Sequence, residues 1–212
     1  MWIAEIWRYP VKSLAGEQLK TAELGPDGIV GDRLVQVHDT RGKVVTARTK
    51  PRLLGLRGTW DAESGEPLVD GRPWRSPEVE EAIRRAAGEG TRPARYDGPE
   101  RFDVLPLLIA TDGAVERLGV DRRRLRPNVV IAGVEGLAER DWPGRRLRLG
   151  EAIIQVDSLR RRCVMTTFDP DTQEQDVSVL RRIVKEFGGR MALDCAVVKG
   201  GWITVGDPVE VL

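Results

Sequence analysis

The most restrictive feature of this sequence is how short its apolar runs are. Each lasts about a strand's length, and Gly, Pro or Asp ends almost every one. Ile3–Trp7, Thr21–Leu24, Arg33–His38, Val44–Ala47, Leu53–Trp60 and Pro67–Val69 read as strands in the first part of the chain. Val104–Ile109, Val129–Ile131, Leu147–Leu149, Ala152–Val156, Arg162–Thr167, Leu193–Val198, Ile203–Val205 and Val209–Leu212 read as strands in the rest. Asp70-Gly71 suits a two-residue hairpin turn, because both positions tolerate positive φ. Helical spacing is confined to three segments. Ser76–Gly88 has a capping Ser, a Pro at the first helical position and a Gly stop. A second helix is expected from Thr111 or Asp112 to Leu118, and a third over Val177–Phe187, stopped by Gly188-Gly189. This balance predicts a β-rich α+β protein, barrel-like in architecture. Residues Gly88–Glu100, rich in Gly, Pro and charge, read as a linker that divides the chain into 1–88 and 89–212.

Composition removes several classes of function. The net charge is +1, so no global basic field calls for nucleic acid. Runs such as Arg122-Arg123-Arg124 and Arg145-Arg146 read as a solvated face or as a contact surface for an acidic partner. No apolar stretch approaches the ~18 residues of a membrane span. The start, Met1-Trp2-Ile3-Ala4-Glu5-Ile6, lacks the basic and apolar regions of a signal peptide. Two cysteines make no disulfide framework, so a reduced, cytoplasmic setting is expected, with a single Cys163–Cys195 bridge left open. One histidine, His38, and no paired-ligand spacing argue against a zinc site and against a Cys–His or Ser–His hydrolase. No Walker loop or dinucleotide fingerprint is present.

What remains is a thiol among arginines. Arg160-Arg161-Arg162-Cys163 sets three permanent cations beside a cysteine, which favours the thiolate, the form that attacks and binds metals. A small buried hydrophobe is the alternative reading of Cys163, and Cys195 reads as core. Tyr9-Pro10-Val11-Lys12-Ser13 places an ammonium beside a hydroxyl after a strand, and Arg33 follows the Gly31-Asp32 turn. Converging, Lys12, Ser13 and Arg33 would hold a phosphate; apart, they are loop residues. Arg126-Pro127-Asn128 offers a fork donor and an amide that would suit a polar ring edge or their own backbone.

In order along the chain, these motifs resemble the MOSC family. The first part carries Tyr9-Pro10-Val11-Lys12-Ser13, Asp32-Arg33, Val45-Thr46-Ala47-Arg48 and Pro51-Arg52-Leu53. The second carries Arg126-Pro127-Asn128, Arg162-Cys163, Thr166-Thr167, Asp169-Pro170-Asp171-Thr172 and Val205-Gly206-Asp207-Pro208-Val209. The branch they are most similar to is the mitochondrial amidoxime-reducing component and its bacterial relatives. The resemblance implies a MOSC N-terminal β-barrel-like domain over 1–88 and a MOSC domain over 89–212. It implies a molybdenum–molybdopterin cofactor (Moco) with Cys163 as the metal's protein ligand. Lys12, Ser13 and Arg33 match phosphate-holding residues, Arg126, Asn128 and Arg162 match pterin-side residues, and Thr111 matches a hydroxyl residue near the cofactor. Arg48 and Asp171 are expected in the catalytic pocket.

The activity implied is reduction of small N-hydroxylated compounds, releasing their oxygen as water. With no iron–sulfur extension after Leu212 expected, electrons would come from a separate electron-transfer protein. A sulfur carrier holding a persulfide on Cys163, for cofactor or metal–sulfur assembly, is the rival implied by MOSC relatives attached to cofactor sulfurases. A binding module without a reaction is the third.

Overall fold

Burial on both faces picks out the centre of the main sheet. Every residue of Leu107–Thr111 and of Val129–Ala132 is buried, the pattern of strands with core on each side. In the computed structural model, which describes residues 1–212, these two strands pair in parallel. The crossover between them contains α2 (Asp112–Leu118), capped by Thr111 and ended by Gly119 in the left-handed conformation. Edge to edge the eight-stranded sheet runs Val209–Val211, Arg146–Leu149, Ala152–Arg161, Arg190–Lys199, Leu107–Thr111, Val129–Ala132, Trp2–Arg8 and Glu17–Leu19. Three further sheets of three strands each complete a β-rich α+β fold with three α-helices.

Side-chain alternation sorts the core into layers. Ile109, Ile131, Ile154 and Leu193 point to one face and join Ile3 and Ile6 in the largest cluster. Leu108 and Ala110 point to the other, where Leu118 of α2 and Ile183 and Phe187 of α3 (Val177–Phe187) cover them. A third cluster joins Val11, Val35, Leu53 and Ile83 of α1 (Pro77–Ala87) to Phe168 from the far end of the chain. The caps match the sequence reading: Ser76 Oγ accepts from Val79 N at 3.3 Å, and Gly188 closes α3. Asp70-Gly71 forms its hairpin with φ of 48° and 77°.

Four local expectations fail, each for a physical reason. Leu53–Trp60 is not one strand. Pro51, lacking an N–H, starts a 3-10 turn over Pro51–Gly55, and pairing begins only at Gly58. The Gly88–Glu100 "linker" holds a strand, Arg92–Arg95, on the edge of the sheet with Val35–His38, where Pro93 costs little. Of the expected strand Val104–Ile109, residues 104–106 stand outside the ladder that starts at Leu107, because Pro106 has no N–H to pair. Arg162–Thr167 is not a strand either. Ala152–Arg161 ends the ladder, and Val164–Thr167 makes a 3-10 turn because the two threonines bond back on it. Thr166 Oγ1 donates to Cys163 O at 3.0 Å and Thr167 Oγ1 to Val164 O at 2.7 Å.

The cores also cross the 88/89 boundary. Trp2–Arg8 belongs to the main sheet, Thr21–Gly25 pairs with Gly201–Thr204, and Arg92–Arg95 pairs back onto Val35–His38. No helix is long and apolar enough to cross a membrane.

Candidate functional site

Interleaving brings distant loops to one place. Pro10 and Lys12 bond to Val35 through Val35 N–Pro10 O (3.2 Å) and Lys12 N–Val35 O (2.8 Å). That seam sets Lys12 and Ser13 beside Arg33. Gly31 makes the turn into Asp32-Arg33 at φ 86°, with the Trp60 ring 2.8 Å from where a Cβ would stand. Buried Asp32 then ties three segments together. Its carboxylate accepts from Tyr9 N at 2.6 Å and Asn128 Nδ2 at 3.1 Å, and pairs with Arg33. Across the molecule, Arg162 N bonds Gly189 O as the strand ends, and Cys163 begins the turn at the same opening.

The result is a cavity of about 240 Å³. Eight of its lining side chains are basic and two acidic, so an anion is the ligand it favours. Lys12, Ser13, Arg33, Arg48, Arg126, Asn128, Arg162 and Cys163 all line it. Three of these residues, Ser13 (φ 74°), Arg33 (φ 56°) and Arg126 (φ 56°), hold left-handed backbone conformations. Only six non-glycine residues do so anywhere, so half of that conformational strain sits on this one wall.

Charge here is held at a cost. Burial pulls the Arg126 pKa down to about 10, helped by neighbouring Arg33, and pulls Arg162 down to about 10, helped by Arg160. Arg126 stacks on the Tyr9 ring at 4.3 Å, and its guanidinium has no acceptor in the protein. Arg162 gives one bond to Leu125 O at 2.8 Å, while its buried Nε has no partner. Burial raises Tyr9 to about 12, so its hydroxyl stays protonated and bonds Pro127 O at 3.2 Å. Burial also works against the charge on Arg48, but neighbouring Asp103 and Cys163 hold its pKa above the ordinary value. Both cysteines are free thiols, and burial pushes Cys195 far up, out of reach of ordinary chemistry. No three His, Cys, Asp or Glu side chains converge as a ligand set.

Three of the residues expected at the site have other work. Thr111 is fully buried and caps α2, accepting from Ala114 N at 3.4 Å. Its hydroxyl is spent on the helix because the strand ends there, and it does not line the cavity. Asp171 lies in a different, second cavity of about 340 Å³, exposed and paired to Arg123 at 2.7 Å. The turn through Asp169-Pro170-Asp171 carries it away from Cys163. Asn128 reaches the right cavity, but its amide is consumed by Leu108 N, Trp7 O and Asp32. It positions the loop rather than offering a free edge.

Sequence reasoning missed Asp103, Arg101 and Asp194, which also line the cavity. Asp103 pairs with Lys12 at 3.0 Å, Arg48 at 2.5 Å and Arg160 at 3.5 Å, and Asp194 pairs with Arg160 at 2.7 Å. The available signal was an acidic residue in Phe102-Asp103-Val104-Leu105-Pro106, hidden by the strand reading of that run.

Fold and site together define a β-rich protein with an anion cradle facing a free thiol. The MOSC domain model matches residues 110–210, and the MOSC N-terminal beta barrel domain model matches residues 1–79. The chain belongs to the MOSC family. It is similar to human "Mitochondrial amidoxime-reducing component 1", 27% identical over 99% of this chain and 82% of that one. It is also similar to "Molybdenum cofactor sulfurase" of Anopheles gambiae, 40% identical over 89% of this chain but only 33% of that protein. Among solved structures, the YUAD protein from Bacillus subtilis covers 100% of this chain with a TM-score of 0.53 and 15% identity, a likeness of fold.

Proposed function

We propose that this chain holds a molybdenum–pterin cofactor in the arginine-lined cavity, with Cys163 as the metal's protein ligand, and reduces small N-hydroxylated compounds. The observation that carries the reading is the buried Arg162 Nε, without a partner, beside Cys163 in a cavity that also holds Lys12, Ser13 and Arg33. A buried cationic donor left unpaired is costly, and an anionic ligand offsets that cost. The group itself supplies two-electron redox chemistry. The chain's part is to bind and orient. Lys12, Ser13 and Arg33 would hold the group's phosphate. Arg126 and Arg162 would hold the polar pterin side. Tyr9, neutral up to about pH 12, keeps its ring under Arg126. Asp32, itself held by Asn128 Nδ2, pairs with the Arg33 guanidinium and would fix its direction, and Arg48 places a positive charge near the Cys163 sulfur. Electrons come from a separate protein, with the similarity to the amidoxime-reducing component as support.

A second reading, a sulfur carrier with a persulfide on Cys163, draws support from Arg48 beside the thiol and from the sulfurase relative. One preparation separates the two. Protein purified from a cofactor-competent host is expected to carry molybdenum and pterin fluorescence, and Cys163→Ala to lose the metal and all turnover while keeping its circular dichroism. Full activity in metal-loaded Cys163→Ala protein would falsify the ligand role. A mass gain of one sulfur on Cys163 without pterin would establish the carrier instead.

A further inference from the structure

Five consecutive residues, Arg101 to Leu105, form one wall of the cavity. The centre of that wall is a carboxylate where an oxyanion would be expected. Asp103 meets Lys12 Nζ at 3.0 Å, an Arg48 nitrogen at 2.5 Å and an Arg160 nitrogen at 3.5 Å. Its three partners come from three separate segments: the loop after Trp2–Arg8, the loop after Val44–Val45, and the strand Ala152–Arg161. Three cations around two oxygens is also how proteins hold phosphate groups. Burial raises the Asp103 pKa, and Lys12 and Arg48 more than reverse that, so it remains a carboxylate.

Apart from the buried Phe102 ring, the wall's side-chain attachments to the rest of the chain run through these contacts. Lys12 Nζ also takes Arg101 O at 2.8 Å. Arg101 is 6% exposed, its Nε has no partner, and its other bonds stay within its own segment, to Asp97 O and Gly98 O, apart from a 3.5 Å pair with exposed Asp27. No strand or helix includes residues 102–106. Displacing one carboxylate would therefore free the segment's tip without breaking a ladder.

We propose that Asp103 is a built-in anion that competes with a phosphate-type oxyanion for Lys12, Arg48 and Arg160. When the oxyanion binds, Asp103 yields these cations and the 101–105 segment moves outward. Asp103 then sets the site's specificity. A singly charged, weakly coordinating anion cannot outcompete a carboxylate already in place, whereas a polyanion that spans all three cations can. The inference rests on the reading of this cavity as an anion site, but it does not need the pterin.

Pyrophosphate binding followed by calorimetry tests it, with circular dichroism as the check on folding. Asp103→Asn is expected to bind pyrophosphate about tenfold tighter than the unmodified protein, the scale of removing one competing charge pair. Asp103→Glu, which keeps the charge, is expected to show no gain. In the unmodified protein, amides of residues 102–105 should exchange hydrogen faster when pyrophosphate is bound. Equal or weaker binding by Asp103→Asn, or slower exchange in that segment, overturns the proposal. Should Asp103→Asn misfold, the exchange experiment on the unmodified protein still decides. Pterin-loaded protein without the Asp103→Asn gain sinks only this inference. A gain in protein that never acquires pterin or metal sinks only the cofactor reading.

Discussion

The two cavities share a wall, Arg126 and Met165, yet the arginines nearest that wall are treated in opposite ways. In the second cavity, arginine charge is answered inside the protein. Arg123 pairs with Asp121 and Asp171 at 2.7 Å each, and Arg124 pairs with Asp169 at 2.9 Å and bonds Thr167 O at 2.8 Å. In the first, Arg126 finds only the Tyr9 ring, and Arg162 leaves its Nε unanswered. Hydrogen bonds to Asp171 and Asp121 raise Arg123 well above its ordinary pKa, while burial drags Arg126 and Arg162 down to about 10. One residue type is thus fully paired at Arg123 and Arg124 and left with unanswered donors at Arg126 and Arg162, even though Arg33, Arg48 and Arg160 of the first cavity also have carboxylate partners. The difference lies in the carboxylates supplied, not in the number of arginines.

The largest expected effect tests the unanswered side. Arg162→Gln and Arg126→Gln should each weaken retention of the pterin group, read as pterin fluorescence per protein, by about ten- to a hundredfold, the scale of one hydrogen bond to a charged group. The same variants should leave thermal stability unchanged or slightly higher, because an uncompensated buried charge is removed. A fall in melting temperature without loss of binding would mean that these arginines are structural and would erase the contrast. On the answered side the split should reverse. Arg124, with its side chain 11% exposed, holds the Thr167 turn to Asp169. Arg124→Gln should cost roughly 1–3 kcal/mol of stability through the orphaned partners. It should change pterin retention less than twofold. Chemical denaturation and pterin fluorescence on the same samples read both numbers.

How much of this could be read beforehand depends on whether a residue's role is local. The caps at Ser76, Thr111 and Gly188 and the Asp70-Gly71 turn act within a few residues of themselves, and the sequence states them. Lys12, Ser13, Arg33, Arg126 and Cys163 were legible because motif order places them, and the cavity brings them together. Asp103 was not, because its partners Lys12, Arg48 and Arg160 are remote along the chain and its flanks look like a strand. Asn128, which lines the cavity, and Thr111, which does not, show a related point. A polar side chain in a motif does not announce whether the fold will consume its hydrogen bonds. The threonines after Cys163 are the sharpest case: β-branched residues argued for a strand, and their hydroxyls built a turn instead.

Acid provides the last and smallest test, since both regions lean on depressed carboxylates. Lys12 and Arg48 overcome burial to hold Asp103 below the ordinary aspartate range, and the Arg123 hydrogen bond holds Asp171 below it. A carboxylate with a depressed folded-state pKa contributes stability that is complete above its unfolded value, near 3.8. That contribution fades as pH falls through the lower, folded value. Melting temperatures of the unmodified protein and of Asp103→Asn and Asp171→Asn should therefore differ at pH 7 and converge toward pH 2. Asp103 is enclosed by three cations, whereas the Asp171 side chain is 68% exposed and screened by solvent. The gap should accordingly be larger for Asp103→Asn and on the order of 2 °C or less for Asp171→Asn. Adding ~1 M salt, which shortens the screening length to about 3 Å, should close the second gap while leaving most of the first. Equal sensitivity of the two to salt would mean that the carboxylate in the first cavity is no better shielded from water than the one on the surface.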